Sequence, residues 1–218
     1  MKLLTLKLAI AAVVSSSLSV MACETDPVCI GETIANRNCV MCHGPSFQGY
    51  FVAPRLAGQR PEYVENQLRN FVAQSRDNPY SKLYMWRAGE KLHSQWGDDG
   101  IRGVAAYFAT LQPKAAKDGN EDLVSTGAAI FSGGDSSENV PACAVCHGPD
   151  AVGSGQIPRL GGLSYTYLKR RLEQWAEGYH ATASYPMPIV ATHLSEDKIE
   201  ALASYLSFID YGEREAMK

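Results

Sequence analysis

Four of the six cysteines in this 218-residue chain fall into two frames of one form, Cys39-Val40-Met41-Cys42-His43 and Cys143-Ala144-Val145-Cys146-His147. Two thiols three residues apart can bond the two vinyl groups of a single porphyrin. A histidine directly after them is then held beneath the iron and supplies an axial nitrogen. The frame is the attachment signal for covalent haem c, and its two copies imply two haems per chain. A bare C-x-x-C also serves zinc sites and redox disulfides. Zinc would need four ligands gathered from both copies, and a thioredoxin-like pair would need a βαβ setting. Neither reading accounts for a histidine after both pairs.

The surroundings of the two frames also match, because the chain repeats itself. An offset of 104 residues lays His43-Gly44-Pro45 on His147-Gly148-Pro149 and Pro54-Arg55-Leu56 on Pro158-Arg159-Leu160. It also pairs Gly58 with Gly162, Tyr63 with Tyr167, Leu68 with Leu172 and Phe71 with Trp175. Farther on, the offset slips to 102 and brings Met85 onto Met187; at 98 it brings Ala105-Ala106-Tyr107 onto Ala203-Ser204-Tyr205. Met85 and Met187 are therefore the candidate sixth ligands, since His/Met pairing is the cytochrome c arrangement. Prolines on both sides of Met187 are expected to stiffen an extended loop that presents its sulfur. Trp86 and Arg87 replace the flanking proline after Met85. His93, His180 and His193 lack a repeat partner and read as ordinary histidines.

These residues must be carried by helices, for no stretch alternates as a strand does. Val64, Leu68, Phe71 and Val72 share a face after Pro61, and Ile101, Val104, Phe108 and Leu111 recur at helical spacing behind a cap at Asp98. Ile199, Leu202, Leu206 and Ile209 do the same behind a cap at Ser195, and short helices around 31–38 and 123–131 precede the haem frames. The chain reads as all-α: residues 23–111 form the first domain, 112–122 a linker rich in charge, 123–211 the second domain and 212–218 a tail. A domain of this size has little core of its own, so a large apolar haem would fill much of it. Residues 1–22 read as a cleaved signal peptide. Lys2 and Lys7 precede an apolar run, Leu8 to Val14, and Val20-Met21-Ala22 offers small residues for cleavage. The expected location is the periplasm. No later apolar run reaches the ~18 residues of a membrane helix.

The duplicated CxxCH-G-P, P-R-L-[AG]-G, Met and A-x-Y pattern resembles the dihaem cytochrome c4 family over nearly all of the chain beyond the signal. That resemblance implies two tandem class I cytochrome c domains related by pseudo-twofold symmetry, each wrapped around its haem, with propionates meeting between them. It implies that the carbonyls of Pro54 and Pro158 accept hydrogen bonds from His43 and His147, and that Arg55 and Arg159 lie near the propionates. It also implies single-electron transfer between redox protein partners, typically toward a terminal oxidase. The chain departs from the pattern in an extra loop, Ser132 to Pro141, and in Cys23 and Cys29.

No nucleophile, acid–base pair or cofactor loop stands outside the haem frames, so a shuttle is expected rather than an enzyme. The alternative is the electron-accepting subunit of a periplasmic dehydrogenase, or a haem enzyme with one exchangeable ligand. Nucleic acid is not an expected partner of a chain with net charge −3. The charge is unevenly spread: residues 23–117 carry 11 Lys and Arg against 9 Asp and Glu, and residues 118–218 carry 7 against 14. Cys23 and Cys29 admit two readings. They could form a disulfide pinning the N-terminal segment in an oxidising compartment. Alternatively, Cys23 could be lipidated after an imperfect lipobox, anchoring the protein peripherally to a membrane. One measurement checks both ends of this reading. The intact mass of the denatured native protein is expected to include two haems, and either a deficit of two hydrogens or a fatty-acid increment.

Overall fold

A computed structural model describes residues 25–50, 52–180 and 185–212. The signal segment, Cys23 and residues 213–218 lie outside them. Among the described residues the chain is helical, with three isolated bridges and no strand.

In the first half, α1 (Pro27–Asn38) starts where the Asp26 carboxylate accepts the Val28 N–H at 3.0 Å and Pro27 fills the first turn. A single turn, α2 (Val40–His43), carries the first haem frame, and α3 (Pro61–Val72) follows. A π turn (Ser81–Met85) then runs directly into α4 (Trp86–Thr110). The helix expected to begin at Asp98 therefore begins twelve residues earlier. It is bent at Gly97, where φ is 59° and ψ −155°, and the Asp98 carboxylate reaches across to Arg69 of α3 at 2.6 Å.

The second half repeats the plan. A 3₁₀ turn (Glu121–Leu123) leads into α5 (Val124–Gly133), followed by α6 (Ala144–His147) with the second haem frame and α7 (Tyr165–Ala176). α8 (Met187–Ala191) and α9 (Glu196–Phe208) complete it. Ser195 stands at the N-cap of α9 without making a side-chain cap bond, whereas the Ser164 hydroxyl accepts the Tyr167 N–H at the start of α7. Met187 is not on an extended loop as expected. It opens a short helix, because Pro188 falls in the first turn, where no N–H is needed.

Each half closes by crossing its first helix over its last. A Cβ on Gly31 of α1 would overlap the Gly103 carbonyl of α4, and one on Gly127 of α5 would overlap the Ala201 carbonyl of α9. Behind the crossings lie two separate cores, one around Ile34, Phe47, Ile101 and Phe108, the other around Phe131, Leu168, Leu202 and Leu206. The extra loop of the second half folds back through the Asp135–Val140 bridge. Lys198 of α9 holds it by ion pairs of 2.7 Å to both Asp135 and Glu138. The lysine holds the Asp135 carboxyl down to about 2, so this clamp is complete above the ordinary value of 3.8 and is lost as pH falls through about 2. The stretch between the halves is bonded to both of them. Lys114 N–H donates to Gln48 of the first, while Lys117 N–H donates to the Ser207 carbonyl and Asn120 N–H to the Ser204 hydroxyl of the second.

Replacing Gly31 or Gly127 by alanine should destabilise the holoprotein by about 1–3 kcal/mol, the usual cost of overpacking. Gly133→Ala, whose added carbon meets nothing within 4 Å, should be neutral or stabilising. Denaturant midpoints of the three variants check this.

Candidate haem sites and the seam between them

The helical turn explains why the frame is spaced as it is. Cys39, Cys42 and His43 stand at positions i, i+3 and i+4, which share one face of a helix. The turn is closed by the N–H of His43 on the Cys39 carbonyl at 2.9 Å and ended by Gly44 at φ 80°. Cys143, Cys146 and His147 repeat this, with Gly148 at φ 77°. None of these four cysteines is in a disulfide. Burial pushes Cys39 up to about 12 and Cys143 up to about 11, the opposite of the depressed thiol that a redox disulfide pair needs. The zinc reading fails as well: among the described residues no three His, Cys, Asp or Glu side chains are gathered to hold a metal ion.

Both histidines are buried, and burial lowers their pKa so that they stay neutral. His43 Nδ1 lies 2.9 Å from the Pro54 carbonyl and His147 Nδ1 3.1 Å from the Pro158 carbonyl, as the family resemblance implied. A carbonyl can only accept, so Nδ1 carries the proton and Nε2 keeps its lone pair for iron. The loops that bring these carbonyls round are alike. Leu56 and Ala57 N–H groups both donate to the Phe47 carbonyl, and Leu160 and Gly161 both donate to that of Ala151. Phe47 and Ala151, separated by the repeat offset, have positive φ of 53° and 56°.

The methionines sit differently. Met85, half-buried, is the last residue of the π turn, and its neighbour Trp86 donates its indole N–H to the Arg76 carbonyl at 2.8 Å. Met187, also half-buried, opens α8. His93 lies beside Asp98 at 3.7 Å. His180 is buried against Arg171, whose guanidinium donates to its Nδ1 at 3.3 Å. Burial and the cations Arg76 and Arg171 push it down to about 3. Cys29 is disulfide-bonded, and Cys23 lies outside the described residues.

Between the halves runs a seam that periodicity did not disclose. The Gln59 side chain pairs with the backbone of Arg159 in both directions, at 3.1 and 2.8 Å. The Arg159 guanidinium, buried, is committed to the carbonyls of Ala57, Gly58 and Gly161, and Arg55 to Gln48 and the Lys114 carbonyl. Three further arginines stand in the seam. Arg76 reaches Gln67 and the Tyr167 hydroxyl, and Arg171 reaches Gln174. Arg170 stacks over Tyr80 with Cζ 4.5 Å from the ring centre. Among the described residues none of these three has a carboxylate within ion-pair distance. Burial, together with the neighbouring cations Arg76 and Arg170, holds the Arg171 guanidinium down to about 10. The Nε groups of Arg60, Arg76 and Arg170 and the Trp175 indole N–H are buried without an acceptor.

Buried cations and orphaned donors of this kind ask for an anion that the chain does not contain. Haem c brings two propionates, so the residues fit the group. The signal was present in the repeat, where Gln67 aligns with Arg171 and Arg76 with His180: polar residues recur where a packed face calls for apolar ones.

A profile of the cytochrome c family matches residues 28–112 and again 124–209. Cytochrome c4 of Thiocapsa roseopersicina is 34% identical over 182 residues, 81% of this chain and 89% of that one. A thiosulfate dehydrogenase electron acceptor of Thiomonas intermedia is 31% identical over 180 residues, 78% of this chain and 77% of that one. Among solved structures, the cytochrome c4 of Acidithiobacillus ferrooxidans superposes with a TM-score of 0.71 at 32% identity, covering 78% of this chain and 98% of that chain. With the likeness sustained across both copies of the haem frame, the chain belongs to the dihaem cytochrome c4 family of electron-transfer proteins and binds two haem c groups covalently.

Proposed function

We propose that this protein is a periplasmic shuttle that takes single electrons from one redox protein and delivers them to another, with a terminal oxidase as the acceptor. Thioethers at Cys39 and Cys42 and at Cys143 and Cys146 would hold the haems, and His43 with Met85 and His147 with Met187 would supply the ligands to the two irons. The carrying observation is that both histidines are fixed in the same tautomer on structured loops, in two sites that share one seam. Each haem, when bound, supplies an iron that alternates between the ferric and ferrous states. The chain's own residues do the rest. The Pro54 and Pro158 carbonyls orient the imidazoles, the apolar walls keep water from the ligands, and the seam arginines neutralise carboxylates that would otherwise be buried unpaired.

The likeness to thiosulfate dehydrogenase electron acceptors supports a second reading, in which the donor is a periplasmic dehydrogenase and this chain its acceptor. Two assays separate the readings. Oxygen uptake by oxidase-containing membranes given the reduced protein reports the first. Haem reduction by a thiosulfate dehydrogenase with thiosulfate reports the second.

If both methionines ligate, the ferric protein shows the weak red-edge sulfur-to-iron band, and Met187→Ala removes about half of it. A high-spin haem in the parent protein, with the band already halved, would mean that Met85 does not ligate and would favour the haem-enzyme alternative.

Part of the basic excess of the first half stands beside Met85. Lys82, Arg87 and Lys91 are exposed around the turn that ends on Met85, beside exposed Leu83 and Tyr84. Around Met187, exposed Tyr185 and Ile189 lie in a stretch with no Lys or Arg between Arg171 and Lys198. An acidic partner should therefore meet the first domain and a basic one the second. Electron-transfer rates with either partner should fall steeply as salt rises past physiological strength, where the screening length is about 8 Å. Reversing Lys82, Arg87 and Lys91 to Glu should slow the acidic partner alone. Stopped-flow rates that stay flat with salt and ignore the reversals would remove the steering role.

A further inference from the structure

Three consecutive residues of the first domain touch the approaches to both methionines. The Arg76 carbonyl accepts the indole N–H of Trp86, the residue after Met85. The Asn78 side-chain oxygen accepts the Ser81 hydroxyl at 2.5 Å, where the π turn toward Met85 begins, and both residues are buried. Between them Asp77 faces the other domain. Its carboxylate accepts the backbone N–H of His180 at 2.7 Å. His180 is 2% exposed and has a φ of 58°, a conformation that a non-glycine residue keeps only when its surroundings impose it. It ends the turn after α7, seven residues before Met187. The relation has a counterpart, since Arg170 of α7 lies over Tyr80, the residue before the π turn of the first domain.

We propose that Asp77 is a positioning residue for the second haem: through its bond to the His180 N–H the first domain anchors the chain seven residues ahead of Met187. The proposal rests on the reading of Met187 as an axial ligand. A hydrogen bond to an ionised carboxylate is about twice as strong as one to a neutral acceptor, and this one is spent on a main-chain N–H in a conformation that would otherwise relax. The contacts between Gln59 and Arg159 bind the same two domains but lie far in sequence from either methionine. They hold the interface beside the Pro158 loop on the histidine side rather than ahead of Met187, and so provide a control for the methionine side.

The test uses the intact dihaem protein. In the reduced state each ligating methionine gives a ring-current-shifted methyl resonance, assigned with Met85→Leu and Met187→Leu. Asp77→Ala should shift or broaden the Met187 resonance and leave that of Met85 in place. It should also raise imidazole affinity at the ferric second haem by about tenfold. Asp77→Asn, which keeps an acceptor oxygen, should restore most of the parent signal. Gln59→Ala, which loosens the interface elsewhere, should not single out Met187. An Asp77→Ala variant with both resonances and imidazole binding unchanged overturns the proposal, as does one in which both resonances move alike. If the parent protein shows no resonance that Met187→Leu removes, the ligand reading itself fails and the proposal falls with it.

Discussion

A histidine offers its lone pair to a metal only when its other ring nitrogen carries the proton, and a buried imidazole cannot leave that N–H without an acceptor. The bonds from His43 to Pro54 and from His147 to Pro158 meet both conditions at once. Much of each domain exists to make them possible. The haem turn ends on a glycine in a left-handed conformation, so the chain doubles back. Phe47 and Ala151 hold positive φ so that their carbonyls can gather two N–H groups each from the returning strand of loop. The proline that lends its carbonyl has no N–H of its own to satisfy. α1 and α4, like α5 and α9, then close over the loop from outside, and their glycine crossings let the backbones approach closely enough to seal it.

The two halves share this plan and differ where they meet. The Gln59 amide pairs with the Arg159 backbone as one strand would with another, and no second copy of that pairing exists because Leu163 stands at the equivalent position. Arg159 is buried among carbonyls of the other domain, whereas its repeat partner Arg55 is bonded to the connecting stretch at the surface. The phenols of Tyr63 and Tyr167 are buried beside each other across the join. A duplicated domain thus acquires an orientation: the second grips the first through a residue whose counterpart has been released to the outside.

The chemistry of the chain was legible because it depends on residue types at fixed local spacing. Cysteine, histidine, proline and glycine in the haem frames and their returning loops can hardly be replaced, so they survive in both copies and announce themselves. Met85 and Met187 were singled out as candidate ligands by alignment of the copies rather than by periodicity. The start of α4 was missed for a physical reason. Of residues 86–96 only Gly89 and Leu92 are buried, so the first limb of that helix leaves almost no apolar stripe to read. Met187 was placed on an extended loop because two prolines flank it, yet Pro188 in a first turn is compatible with a helix. The seam arginines were illegible for a different reason. Arg76, Arg170 and Arg171 make electrostatic sense together only with an anion that the polypeptide does not encode. Nor does local sequence reveal that Asp77 reaches His180, a contact between residues 103 apart.

The unequal exposure of the paired thiols bears on the order of events in assembly. Cys42 and Cys146 stay at the surface of the folded domains, while Cys39 and Cys143 are withdrawn behind the last turn of α1 and the start of α6. Addition of sulfur to a vinyl group draws on the thiolate, and a thiol pushed up to about 12 has almost none of it at neutral pH. Cys39 is thus the less reactive thiol of its frame once the first core has packed. A chain whose two sulfurs are still open is a better substrate for attachment than the closed fold, and the closed fold shelters the inner bond once it is made.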